Sequence, residues 1–411
     1  MTARDDEFQV YVDIEGDTLR AGTAWFTRGR RGISTTFRYE AAYIADARAY
    51  NLDPTFQLDS GSQYVSGLPT AFADSSPDRW GRQLIAKAAA QDARDRDVRA
   101  RTLDDVDYLL GVSDATRHGA TRFATPDGVF LGGEAQVPQL LQLGELMHAA
   151  DGAADGDMAS IKRLLDTGTG GLGGANPKAL VQTPDGRLAI AKFPHPGDAQ
   201  DVIGWEAVAL EIAERAGIAV PARKLLVVDG RHVLVVDRFD RGHDGARIGY
   251  MSALTAVGRG GDDYDYIDVA AAMSDLGVGQ TALRDFYDRL IVSVALHNTD
   301  DHLRNHGLLR MPETNGWSPA PLFDVNPVGD EGKERTTAIA GATHIDDEPE
   351  ALLAIAGDFR LKDEAARERI AQAVHVVARW RDIAADLNVE ADADIAAIID
   401  ANTARLRDLV S

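Results

Sequence analysis

Asp300 and Asn305 stand five residues apart in the stretch HNTDDHLRNHGLL at 297–309. That is the separation of the aspartate and asparagine in a kinase catalytic loop. Such an aspartate orients a substrate hydroxyl and takes its proton, and such an asparagine offers a neutral oxygen to magnesium. Asp324 in PLFDVNP follows an apolar run nineteen residues beyond Asn305. An anionic ligand there suits Mg2+, which is usually held by one or two carboxylates together with nucleotide phosphates. Lys192 in IAKF has apolar neighbours, a costly setting for an ammonium unless it meets anions. Glu206, on the helix pattern that follows, is the natural partner for it. Asp300, Lys192 and His302 form the candidate catalytic set, with Asn305 and Asp324 as the metal set. Phosphoryl transfer needs few parts beyond these, because positioning and charge neutralisation carry most of the catalysis.

The phosphates would need mobile backbone as well. GTGGLGGANPKALV at 168–181 crowds glycines ahead of Lys178. A Walker loop is excluded by context, because it opens a helix, whereas KALV runs into the turn QTPDG as a strand entering a hairpin. Glycines before a strand fit the lid over ATP phosphates in kinase-like folds. The candidate nucleotide-binding residues are Gly173, Gly174, Ala175, Asn176, Lys178, Lys192 and Glu206.

Taken singly, each feature has a plainer reading. Lys192 could be a snorkelling surface lysine and Glu206 a solvated helix residue. Asp300 and Asp301 could cap a helix end, and Asp324 could be a turn residue before Asn326 and Pro327. His297, His302 and His306 imitate a metal cluster but lack the H-E-x-x-H arrangement. Order and spacing favour phosphoryl transfer: lysine, glutamate, aspartate-x4-asparagine and a strand-end aspartate fall where a kinase needs them.

The elements that must hold these residues follow from pattern. Alternating runs between residues 8 and 45 predict a small antiparallel sheet. SPDRWGRQLIAKAAAQDARDRDVRA predicts a helix capped by Ser76 and Pro77, with further helices over TLDDVDYLLG, VPQLLQLGELMHAADG and DMASIKRLLD. Residues 178–239 read strand, strand, helix, strand, strand, with turns at Pro184–Gly186 and Asp229–Gly230 and a helix stop at Gly217 and Pro221. That order matches the nucleotide-binding lobe of protein-kinase-like folds. TALRDFYDRLIVSVALHN is the strongest later helix, GRGGDDYDYID at 258–268 reads as a surface loop, and two helices are expected around 363–385 and 392–409.

Composition sets the outer limits. The 411 residues exceed one compact core, and 45% hydrophobic content argues against wholesale disorder. A net charge of −22 repels nucleic acid at long range, so DNA binding is expected only through a partner. The chain has no cysteine, which removes disulfides and thiolate metal sites. MTARDDEFQV carries no apolar signal core and no run reaches membrane-spanning length, so a soluble cytoplasmic protein is expected.

The motifs GGANPKALV, AKFP, AGIAVP, VVDRFDR, NTDDHLRNHGLL and PLFDVNP, together with FADSSPDRWGRQLI at 72–85, resemble those of HipA-type serine/threonine kinases of bacterial toxin–antitoxin modules. The resemblance implies an α+β, protein-kinase-like bilobal fold with an N-terminal β-rich HipA-type domain and an all-helical C-terminal lobe. The expected division is 1–150, 151–245 and 246–411. It also implies ATP and Mg2+ as cofactors, with Asp300 catalytic and Asn305 and Asp324 ligating the metal. Asp237, Arg238 and Phe239 would form the strand bordering the adenine. Such proteins pair with a small helix-turn-helix antitoxin, and some phosphorylate an aminoacyl-tRNA synthetase. Relatives carry autophosphorylated serines in the glycine loop where this chain has Gly170 and Gly171, leaving Thr169 and Thr167 as the nearest hydroxyls. RIGYMSALTAVG at 247–258 has the look of a subgroup variant, so the acceptor stays open. A nucleotide-binding pseudokinase holding an antitoxin, or a small-molecule kinase, are the alternatives.

Overall fold

The computed structural model describes residues 4–30, 32–132, 135–169, 176–258 and 263–411. Five strands, β1 (Arg4–Ile14), β2 (Asp17–Gly29), β3 (Gly32–Tyr39), β4 (Gln63–Ser66) and β5 (Thr121–Ala124), form one sheet in the order β4-β3-β2-β1-β5. The first three are the alternating runs expected at the N-terminus. β4 and β5 are four residues each and were not expected, being too short to show a period. A second sheet holds β6 (Lys178–Gln182), β7 (Leu188–Lys192), β8 (Arg223–Val228) and β9 (Arg231–Asp237) in the order β6-β7-β9-β8. The turn between β8 and β9 places Asp229 at φ 48° and Gly230 at φ 76°, the left-handed pair a two-residue hairpin requires. A third sheet has the order β10-β11-β12, from β10 (Tyr250–Ser252), β11 (Gly307–Met311) and β12 (Gly316–Pro319), so the stretch 246–411 is not all-helical as expected; strands of three to five residues are too short to show a period.

By internal contacts the chain divides into two units. One comprises Met1–Pro196, Val235–Met251 and Leu309–Asn315; the other comprises Gly197–Leu234, Ser252–Leu308 and Gly316–Ser411.

In the first unit, the five-stranded sheet packs an aromatic core. Phe37 stacks on Phe56 at 4.8 Å and Phe72 meets Phe123 edge-on at 5.1 Å. The short helices α1 (Ala41–Ile44) and α2 (Thr70–Ala73) precede α3 (Arg79–Asp95), α4 (Asp105–Leu110), α5 (Leu143–Ala154) and α6 (Met158–Asp166). α3 starts later than expected. Its cap is Asp78, whose carboxylate accepts from the Gly81 amide, so Ser76 and Pro77 lie outside the helix. Aspartate caps as well as serine does, and the sequence offered both.

The second unit is mainly helical: α7 (Val202–Arg215), α8 (Ala253–Val257), α9 (Tyr266–Asp275), α10 (Gln280–Ala295), α11 (Glu348–Ala354), α12 (Asp363–Val377), α13 (Trp380–Asp386) and α14 (Ala393–Val410). Leu283, Phe286, Tyr287, Leu290, Ile291 and Val294 of α10 are buried at helical spacing, and from Arg289 to Ala295 every residue is buried. The helix expected over 363–385 is two helices, interrupted at Ala378–Arg379. The break turns Trp380 into the core, where its ring lies 5.5 Å from that of Trp205 on α7. The expected loop over 258–268 is shorter, because α9 begins at Tyr266; residues 259–262 lie outside the described residues.

Candidate active site

In the second unit, α10 ends at Ala295 and His297 takes a left-handed conformation, φ 52°. That position is usually filled by glycine. The chain then leaves the helix as Asn298-Thr299-Asp300, with Asn298 and Thr299 buried and Asp300 exposed. A single 3-10 turn, Leu303–Asn305, follows. It brings the Asn305 side chain back to donate its Nδ2 hydrogen to the Asp300 carbonyl at 3.0 Å. The two residues chosen by spacing are therefore joined directly. The bond commits the Asn305 nitrogen and leaves its amide oxygen as the group available to a cation.

Asp301 has a different task. Its buried carboxylate meets His306 Nε2 at 2.7 Å, accepts from the Ser293 hydroxyl at 2.6 Å and pairs with Arg335 Nη1 at 2.9 Å. Burial alone would raise this carboxyl; the neighbouring His306 and Arg335 outweigh burial and hold it well below the usual carboxylate range. His306 Nε2 also lies 2.9 Å from the Tyr266 hydroxyl, and His297 Nε2 lies 2.9 Å from the Asp330 carbonyl. Burial lowers the His297 pKa, with the Asp330 hydrogen bond opposing. His302 is half-buried, and its carbonyl receives the Asn305 amide at 2.8 Å.

Asp324 does not end a strand. β12 stops at Pro319, and Asp324 lies in irregular chain at φ 59°, a region non-glycine residues seldom occupy but aspartate tolerates. The following residues are fixed to the end of α10. The Asn326 amide donates to Asn298 Oδ1 at 3.2 Å and the Val328 amide to the His297 carbonyl at 3.2 Å. Glu206 is buried on α7, so the reading of it as a solvated helix residue fails.

In the first unit, β6 and β7 form an antiparallel hairpin whose register sets Lys178 directly opposite Lys192. Opposed residues of such a pair project to one face, with Cβ atoms about 4.5–5.5 Å apart. Lys178 is buried and Lys192 half-buried. The Asp78 carboxylate lies 3.9 Å from the Lys178 ammonium. Gly173, Gly174 and Ala175 fall outside the described residues; Asn176 is described, ahead of β6. Just before the loop, Thr167 and Thr169 are buried and share a 2.8 Å hydrogen bond between hydroxyls.

The strand expected through Phe239 ends at Asp237. Arg238 turns away to Asp240, with Nε and Nη2 at 2.8 and 2.6 Å from its carboxylate, and donates to the Thr116 carbonyl at 2.6 Å. The Asp240 carboxylate also binds Arg241 Nη1 at 2.7 Å and the Gly119 amide at 2.8 Å. The chain is thus anchored immediately after Phe239. Sequence reasoning missed Asp240, Arg335 and Glu348, because buried ion pairs between distant segments leave no local pattern.

A family model described as the HipA-like C-terminal domain matches residues 170–380, and one described as the HipA N-terminal domain matches residues 12–102. Among solved structures, HipA of Shewanella oneidensis MR-1, in a toxin–antitoxin complex with HipB and operator DNA, is 14% identical with a TM-score of 0.62; the match covers 98% of this chain and 96% of that one. That likeness shows a shared α+β fold. The Helicobacter pylori proinflammatory kinase CtkA is 15% identical, with a TM-score of 0.41 over 58% of this chain and 91% of its own. A search of curated proteins finds no match.

Proposed function

This chain belongs to the HipA-like family, and from that premise we propose that it is an ATP- and Mg2+-dependent serine/threonine protein kinase, the toxin of a type II toxin–antitoxin module. The observation that carries the proposal is the hydrogen bond from Asn305 to the Asp300 carbonyl. It ties the Asn305 side chain to the backbone of Asp300, so the amide oxygen and the residue that carries the carboxylate share one short loop, as acceptance of a hydroxyl proton beside a bound cation requires. Exposed Asp300 takes the proton from the acceptor hydroxyl as the phosphoryl group arrives. Asn305 and Asp324 hold Mg2+ through hard oxygen atoms. When bound, Mg2+ neutralises charge on the nucleotide phosphates. The ammonium groups of Lys178 and Lys192 meet the phosphate oxygens, and their direct opposition on one hairpin suits a polyanion.

The acceptor is a protein of the translation machinery such as an aminoacyl-tRNA synthetase, and the chain works in the cytoplasm. Its partner is a small helix-turn-helix antitoxin. The Shewanella HipA structure, which contains HipB and operator DNA, supports that reading, and the net charge of −22 supports DNA contact through the antitoxin. The test is incubation with γ-labelled ATP, Mg2+ and a cell lysate, with Asp300→Asn as control and mass-spectrometric identification of labelled proteins. Serine or threonine phosphate that depends on Asp300 is expected; equal labelling by the two proteins would refute the assignment.

A further inference from the structure

We infer that Arg335 is a positioning residue that locks the segment following Asp324 onto the catalytic loop, doing with a built-in ion pair what many protein kinases do with a phosphate. The inference rests on the kinase reading above. In those kinases a phosphorylated residue of the activation loop meets an arginine, and the pair orders the segment. Here the charges are exchanged. The carboxylate, Asp301, belongs to the catalytic loop next to Asp300, and the guanidinium belongs to the segment.

The contacts form a closed set. Arg335 Nη1 binds Asp301 at 2.9 Å and the Ser293 hydroxyl oxygen at 3.0 Å, while Nε and Nη2 take the two oxygens of Glu348 at 3.0 and 3.2 Å. Arg335, Asp301, Glu348 and Ser293 are all buried. The fork joins the loop before Asn305 to the first residue of α11. Around it the Thr336 amide and hydroxyl donate to the Thr299 carbonyl at 2.9 and 3.1 Å. The Ala340 and Gly341 amides donate to the Asp265 carboxylate at 3.1 and 2.7 Å.

The hydroxyl residues between 325 and 347 are Thr336, Thr337 and Thr343. None is set to use a phosphate. Thr336 is bonded to Thr299, Thr337 is buried, and the Thr343 hydroxyl donates to Glu334 at 3.2 Å, where added negative charge would be repelled.

The experiment combines hydrogen–deuterium exchange on the full chain with kinetics of Arg335→Gln and Arg335→Lys. In phosphatase-treated wild-type protein without nucleotide, peptides spanning 330–347 should be protected and activity should be undiminished. Arg335→Gln should lower kcat by about ten- to a hundredfold through misplacement of the loop, with the KM for ATP changed less than about twofold and faster exchange in 330–347. Arg335→Lys, which keeps one cationic contact, should recover part of kcat. Rapid exchange of this segment in the wild type, loss of activity on phosphatase treatment, or unchanged kcat in a folded Arg335→Gln protein would each overturn the inference. If Arg335→Gln does not fold, wild-type exchange and the lysine variant decide. If the wild type transfers no phosphate at all, the kinase reading fails, while the exchange measurement still shows whether the lock exists.

Discussion

Lys178 and Lys192 oppose each other across the β6–β7 hairpin, with the Asp78 carboxylate 3.9 Å from the Lys178 ammonium. Like charges placed directly opposite destabilise a strand pair by a fraction of a kcal/mol, up to about 1 kcal/mol. Two cations on one face of a hairpin call for anions, and a nucleotide phosphate would be one.

Lys192→Met should remove most of the thermal stabilisation given by Mg·ATP, because it takes away one of the two cations that the hairpin register sets opposite each other. Melting curves with and without nucleotide supply the measurement. A variant stabilised by Mg·ATP as much as the wild type would contradict the role.

Asp300→Asn should reduce phosphoryl transfer by about 10²–10⁴-fold, the usual worth of general-base catalysis, and leave ATP binding nearly intact. Asp300 is exposed, so the melting temperature should not move. Turnover within a few-fold of wild type would remove Asp300 from the mechanism.

The metal ligands are best separated with backbone strain in mind. Asp324 sits at φ 59°, where asparagine is tolerated and alanine is strained. Asp324→Asn should thus keep the fold and still weaken Mg·ATP binding more than Asn305→Ala, because it removes an anion rather than a neutral ligand. Calorimetric titration with and without Mg2+ checks the order; equal losses would argue against these roles.

Thr167 and Thr169 are unlike an exposed phosphorylation loop: both are buried and bonded to each other. Prolonged incubation with Mg·ATP should leave both unmodified in peptide mass spectra. Phosphate on either would show that the start of the loop unfolds to reach an active site.

Acid should destabilise the first unit through His118, whose pKa is pushed down from 6.5 to about 4 by burial, with Arg238 and Arg241 adding to the effect and Asp240 opposing it. Unfolding lets this imidazole take a proton, so the unfolded chain binds more protons between about pH 6.5 and 4, and stability falls as pH drops through that window. His118→Phe, which retains a ring against Tyr250 (4.0 Å in the wild type), should flatten the fall. Urea unfolding across the window, with identical slopes in both proteins, would exclude His118 as the source.

What could be read in advance was what local pattern encodes. The β6–β7 hairpin, α7 and α10 follow from periodicity and turn residues, and the Asp300–Asn305 pair from spacing. The misreadings have physical causes. β4 and β5 are too short for alternation to register. Asp78 and Ser76 compete as caps for α3. The break at Ala378–Arg379 contains no glycine or proline, so no breaker residue marks it. Above all, the partners of Asp301 lie at Ser293, His306 and Arg335, and only tertiary packing brings Arg335 to it.

The indole rings of Trp205 and Trp380, 5.5 Å apart, tilted by 44° and buried, are close enough for their electronic transitions to couple. Trp205 is the immediate neighbour of Glu206 on α7. The near-ultraviolet circular dichroism of the unlabelled protein therefore carries a signal from the seating of that helix. Any movement of α7 against α13 during turnover or partner binding would change its sign or amplitude before any label need be introduced.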